Sequence, residues 1–200
     1  MVIFEASKLV IQLGFEYVPT VETACVILDI SKLVIHAGLL YEPVVKTASV
    51  TLEPAKLVSA MYNPDLDLYV LGKYEDGEVF AGTDRLSMAV QPAVQEWIAS
   101  HNCNVLFEGD RIFNQSFLEF AMSLPDTDLQ IVFLSAPKTV LEQRYKDRGS
   151  DQSEQFLRGR ETKYNNLLSN FDLMPYITEF ANTNLEEQAK VLAFLEGQLG

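Results

Sequence analysis

Asn104-Val105-Leu106-Phe107-Glu108-Gly109-Asp110-Arg111 is the stretch on which the fold turns. A short apolar run, residues 105–107, stops abruptly at an acid, a glycine, a second acid and an arginine. An unbroken apolar run of this length reads as a strand buried on both faces, the kind found in parallel sheets. Gly109 lets the chain turn sharply just beyond it. Open parallel sheets bind ligands outside the carboxyl ends of their strands. Glu108, Asp110 and Arg111 therefore stand where binding or chemistry is expected. Taken alone, they also read as an ordinary strand end with solvated charges.

On either side of this stretch the pattern alternates strand and helix. Residues 68–71 and 129–134 are apolar runs of strand length, and 176–181 predict a last strand. Residues 72–82 form a loop or hairpin. Helices are expected over 84–100, interrupted near Pro92, and over 115–124, where Pro125 stops the second. Ser135 can cap a further helix with Pro137 in its first turn, ending near Arg148 and Gly149. Another starts at Ser150 or Ser153 and runs to about Asn170. Its apolar positions Phe156, Leu157, Tyr164, Leu167, Leu168 and Phe171 recur at helical spacing. Residues 185–199 close the chain as a helix. Alternating β and α elements imply an α/β fold, a parallel sheet flanked by helices.

The N-terminal part obeys a different rule. Residues 7–30, SKLVIQLGFEYVPTVETACVILDI, and residues 31–54, SKLVIHAGLLYEPVVKTASVTLEP, align without a gap as a tandem repeat. A third copy begins at Lys56-Leu57-Val58 and fades. Each unit has two β-rich runs around a proline: 8–18 with 22–28, then 32–41 with 44–52. Val, Ile, Thr, Tyr and Phe dominate them, which suits strands. The segment reads as hairpins packed on the main domain or as an oligomerisation arm, since an isolated hairpin is marginal in water. Pro64 and the acidic run Asp65-Leu66-Asp67 mark the division. Residues 1–63 are then a β-rich tandem-repeat segment and 64–200 an α/β domain.

The chain has 200 residues, 48% hydrophobic, and a formal net charge of -13. That supports one domain with a real core. The charge opposes nonspecific binding to nucleic acid or anionic membranes. It also admits a third reading, an acidic nucleic-acid mimic, although solvated acidic surfaces are common. No apolar run approaches the roughly 20 residues that span a bilayer, and no signal peptide is evident. Cys25 and Cys103 are lone cysteines, which suits a reducing cytoplasm. With two histidines in all, a histidine-rich metal site or a histidine-based triad is not expected.

Against this acidic background Arg144, Arg148, Arg158, Arg160 and Lys163 gather around the polar stretch 149–155. Arg144 and Arg148 are four apart, on one helix face. The segment reads as a helical hairpin tipped with guanidinium groups, whose planar fork suits phosphate. Such a tip can close over a transferring phosphoryl group. The plainer reading is surface salt bridging with Glu142, Asp147, Glu154 and Glu161.

Taken together, residues 68–199 resemble P-loop nucleoside and nucleotide kinases, most nearly the kinase-like proteins found in phage genomes. The resemblance is carried by Val70-Leu71-Gly72-Lys73-Tyr74, Gly82-Thr83-Asp84-Arg85, Val105 to Arg111 and Ile131-Val132-Phe133-Leu134. The arginine hairpin and Asn182-Thr183-Asn184 complete it. It implies that Glu108 positions magnesium through coordinated water, and that Asp84 and Arg85 line the acceptor site. Asp110 and Arg111 would contact substrate or phosphate, and Arg144, Arg148, Arg158 and Arg160 would form the lid. Asn182 would meet the adenine of ATP. The implied activity is phosphoryl transfer from ATP and Mg²⁺ to a nucleotide, a nucleoside or a modified base. The sequence departs from the family in one respect: no glycine-rich loop ends in Gly-Lys-Ser or Gly-Lys-Thr. Gly72-Lys73 is followed by Tyr74, and the repeat lies where the phosphate loop belongs. A catalytically inactive binding or assembly protein, with the repeat making a homo-oligomer, is the alternative.

Overall fold

The computed structural model describes residues 8–15, 48–51, 58–74, 82–147, 149 and 153–199. Among these, seven strands make one sheet: β1 (Lys8–Phe15), β2 (Ala48–Thr51), β3 (Ser59–Asn63), β4 (Leu68–Leu71), β5 (Asn104–Phe107), β6 (Thr127–Ser135) and β7 (Ile177–Ala181). Their order across the sheet is β2-β3-β4-β5-β1-β6-β7. The five from β4 to β7 in that order are mutually parallel, while β2 and β3 extend one side as antiparallel strands. Helices α1 (Val90–Ser100), α2 (Gln115–Ser123), α3 (Lys138–Asp147), α4 (Glu154–Leu168) and α5 (Leu185–Leu199) alternate with the later strands. The fold is α/β.

β1 comes from the first repeat unit and lies in the middle of the sheet. It pairs with β5 on one side, Val10 opposite Val105, and with β6 on the other, Lys8 opposite Thr127 through Phe15 opposite Leu134. Strands expected over 22–28 and 32–41 lie outside the described residues; of the run 44–52, residues 48–51 form β2. The Pro64–Asp67 stretch is the turn of the β3–β4 hairpin. Asp67 takes φ 43°, Tyr62 donates to its carboxylate at 3.0 Å, and Asn63 Oδ1 accepts from the Asp65 N–H at 3.0 Å. Residues 1–63 and 64–200 thus contribute strands to one sheet.

The helix expected from residue 84 begins instead at Val90, after a 3-10 turn over Thr83–Arg85. Proline explains the delay. In a helix starting at 84, Pro92 would lack the N–H owed to residue 88 and would clash there. Starting at Val90 places it in the first turn, where N–H groups have no helical partner. The arginine-bearing helices form near the expected bounds: Ser135 closes β6 instead of capping α3, which starts at Lys138, and the Ser153 hydroxyl caps α4 at the Phe156 N–H. No described helix is long and apolar enough to cross a membrane.

Val105, Leu106, Phe107, Ile131, Val132, Phe133 and Leu134 are all buried. Phe107 meets Phe117 of α2 at 5.2 Å between ring centroids. Phe113, Phe133 and Tyr164 form a second cluster with centroids 5.6–6.3 Å apart. Each such ring contributes roughly 1.5–3 kcal/mol by leaving water. Tyr164 therefore seats α4 against the ends of β5 and β6 with its hydroxyl edge pointing to polar company. The chain leaves β1 toward the β4 side and, after β5, crosses to β6 on the other. Winding reverses at β1, so the carboxyl ends of β5, β1 and β6 flank a switch point.

Candidate functional site

Glu108 follows β5 directly and is 1% exposed. Its burial comes from the neighbouring loop. Lys73 and Gly82 pair as a two-residue bridge that closes the excursion after β4. Thr83 then fastens that loop to β5, its N–H and its hydroxyl both donating to the Glu108 carbonyl, at 3.1 and 2.7 Å. Gly82, at φ +67°, lies against the Glu108 side chain; a Cβ there would stand 1.9 Å from Oε1. Only glycine permits both that backbone angle and that approach. The Gly82-Thr83-Asp84-Arg85 segment is thereby held beside the end of β5.

Asp84 is half-buried in the 3-10 turn and accepts from the Arg111 N–H at 3.0 Å. The Arg111 guanidinium returns to the same turn, donating to the Asp84 carbonyl at 2.8 Å. Burial raises the Asp84 carboxyl above its ordinary value, and the charge of Asp110 adds to the rise. Arg160 and the N–H groups of Arg111 and Asp110 pull it back only in part.

Asp110 is the hub. Arg160 Nε lies 2.5 Å from its Oδ2, a contact made as an ion pair rather than an aligned hydrogen bond. The Lys163 ammonium donates to Oδ1 at 3.0 Å, and the Tyr164 hydroxyl donates to the same oxygen at 2.8 Å. Arg160 also donates to the Tyr164 hydroxyl at 3.0 Å. Burial alone would raise the Asp110 carboxyl. Arg160, then Lys163 and the Tyr164 hydroxyl, outweigh it and hold it below the usual carboxylate range. Two opposed carboxylates thus share one corner, one pushed toward protonation and one locked in its charged form.

The acids at the strand end and the arginine helices do meet, though through fewer arginines than expected. Arg160 is 8% exposed and faces the acids. Arg158, two residues earlier, points away, its side chain 78% exposed and paired with Glu154 at 3.4 Å. Residues two apart on a helix do not share a face. Arg144 is half-buried on α3, Arg85 is half-buried in the 3-10 turn, and Arg148 lies outside the described residues. Asn182 follows β7 and is fully buried. Its Oδ1 accepts from Gln188 at 3.1 Å, whereas its Nδ2 has no hydrogen-bond partner among the described residues. Sequence reasoning missed Thr83 and Tyr164 as polar members of the site. Thr83 stood in a quoted motif, but Tyr164 was assigned to an apolar helix face, where its ring does lie.

No protein-family model, curated protein or solved structure matches this chain.

Proposed function

We propose that the chain is a kinase-like phosphotransferase whose acceptor is a nucleotide, nucleoside or modified base. One observation carries the reading: a buried acid, Glu108, at the carboxyl end of β5 beside the switch point, two residues before Asp110, on which Arg160 and Lys163 converge. Phosphoryl transfer asks a protein mainly to hold donor and acceptor in line and to offset charge on the phosphoryl oxygens. Arg160, Lys163 and the lid residues Arg144 and Arg148 supply the cations. Asp84, with its raised affinity for a proton, is the group suited to accept one from an acceptor hydroxyl.

Magnesium and ATP are implied by the reading, and the donor set suits them within limits. Among the described residues no group of three or more His, Cys, Asp or Glu is placed to hold a metal. Magnesium needs no such cage, being held by one or two carboxylates together with waters and substrate phosphates. Glu108 provides one such carboxylate, and the metal would offset phosphate charge when bound. Asn182 supports a site for a ring acceptor, since a buried donor without a partner costs about 1–3 kcal/mol. Its side chain is covered in this structure.

The test is calorimetric titration with ATP and Mg²⁺, then a phosphate-transfer assay over a panel of nucleosides and nucleoside monophosphates. Glu108→Gln should lower turnover at least about 100-fold, the scale of losing one preorganised charge-stabilising group. Turnover unchanged by that substitution would refute the assignment. The absence of Gly-Lys-Ser or Gly-Lys-Thr anywhere in the sequence favours a second reading, a non-catalytic binding or assembly protein. Nucleotide binding without transfer would select it. Self-association through the repeat is checked by light scattering of the whole chain, because removing residues 1–60 would delete β1 from mid-sheet.

A further inference from the structure

The one tryptophan of the chain belongs to a line of rings on the side of the sheet where β5 begins, away from the strand-end acids. Tyr62 of β3 lies directly across from Tyr69 of β4, with ring centroids 4.4 Å apart. Tyr69 meets Trp97 of α1 edge-on at 4.8 Å. Trp97 stacks in turn on His101, at 4.5 Å and 19° between planes. The other ring pairs among the described residues are 5.2–6.3 Å apart. Packing alone does not ask for these side chains. Phenylalanine fills such space as well and is commoner here, 12 residues against 8 tyrosines, yet none stands in the line. Every member is instead a ring that gives up an electron or a proton. The two ends of its oxidisable part differ in burial. Trp97 is 2% exposed, whereas Tyr62 is only half-buried. The Tyr62 hydroxyl donates to the carboxylate of Asp67, itself exposed, at 3.0 Å. An ionised carboxylate is an acceptor only, ready to take that proton.

We propose that this line is a one-electron relay, carrying oxidising equivalents from the buried indole of Trp97 through Tyr69 to Tyr62 at the surface. A one-electron oxidant, such as the carbonate or azide radical, takes an electron from Trp97 and leaves as its anion. Tyr69 passes an electron to the oxidised indole and is refilled from Tyr62, keeping its own proton. The phenolic proton of Tyr62 moves to Asp67, leaving a neutral phenoxyl radical. A thiolate or ascorbate in solution returns the electron, and Asp67 returns the proton. The direction follows from the proton: a phenol that sheds it on oxidation yields an electron more readily than an indole at neutral pH. Oxidation that would otherwise stay in the core is discharged in solvent. The relay is independent of the phosphotransferase reading.

Pulse radiolysis of the whole chain with azide radicals, which attack indole before phenol, tests the relay. With a single tryptophan, the indolyl absorption has one source. Its decay should match the growth of the phenoxyl absorption, first-order and independent of protein concentration. Tyr62→Phe should abolish that growth, and Tyr69→Phe should slow it. Both variants keep the ring, so the packing of the line is retained. Asp67→Asn should slow the growth as well, by removing the proton acceptor. Asparagine suits the left-handed φ of 43° at this position, so the β3–β4 turn is kept. Thermal unfolding of each variant checks that it is folded as the parent is. Phenoxyl growth at the parental rate in Tyr62→Phe, or in Asp67→Asn, would overturn the proposal. So would a rate proportional to protein concentration, since the electron would then be passing between molecules.

Discussion

Removing the Asp110 carboxylate should expose how α4 is held to the sheet. Asp110→Ala removes the carboxylate paired with Arg160, itself 8% exposed, and the oxygen that accepts from the Tyr164 hydroxyl. Breaking a buried ion pair from one side typically costs about 3–5 kcal/mol. Asp110 and Lys163 are each about a quarter exposed at the side chain, 21% and 27%, so solvent screens part of that. The discounted expectation is about 2–4 kcal/mol. Urea unfolding at pH 7 measures it. The double variant Asp110→Ala/Arg160→Met should be less destabilised than Asp110→Ala alone, because it removes the Arg160 charge along with its partner. The pH dependence follows from the depressed folded pKa of Asp110. Its contribution is complete above the ordinary carboxylate range and is lost as pH falls through the lowered folded value. A single variant within about 0.5 kcal/mol of the parent, or a double variant as unstable as the sum of the singles, would refute the clasp.

Asp84→Asn should stabilise the fold at pH 7. The folded carboxyl of Asp84 is raised, so the stability it confers is present below the unfolded value and is lost as pH climbs through the folded one. Asparagine keeps an oxygen for the Arg111 N–H without the charge, and its advantage should vanish as the pH of a urea titration series approaches 4. A loss of stability at pH 7 would contradict the assignment. Gly82→Ala meets both a left-handed backbone and a 1.9 Å contact with Glu108 Oε1. It should cost roughly 2–5 kcal/mol in the same assay, and an alanine variant as stable as the parent would show that the Glu108 side chain moves freely.

Much of the fold was legible locally. The runs at 68–71, 105–107 and 129–134 are strands because consecutive apolar residues are buried on both faces of a parallel sheet. Proline and serine marked where α3 and α4 begin. The helix start at Val90 was misplaced because Pro92 admits either an interruption or a first turn, and only the loop anchored by Thr83 chooses. At the site, the strand-end acids and the arginine helices were recognisable as charged groups in suitable places. Arg158 and Arg160 were read as equivalent because composition does not say which face of α4 packs inward.

What the sequence determined by itself is everything that depends on neighbours along the chain: the strand and helix alternation, the turn chemistry, the repeat and the acidic charge. Strand order belongs to the tertiary structure, since a β-rich run carries no mark of which strands it will pair with. β1 was therefore read as half of a hairpin, yet it joins β5 and β6 at the centre of the sheet. The same holds for the Asp110 clasp, whose partner Lys163 is 53 residues away. Charges that far apart meet only when the Tyr164 ring is buried beside Phe113 and Phe133, because desolvation of that ring fixes where α4 lies.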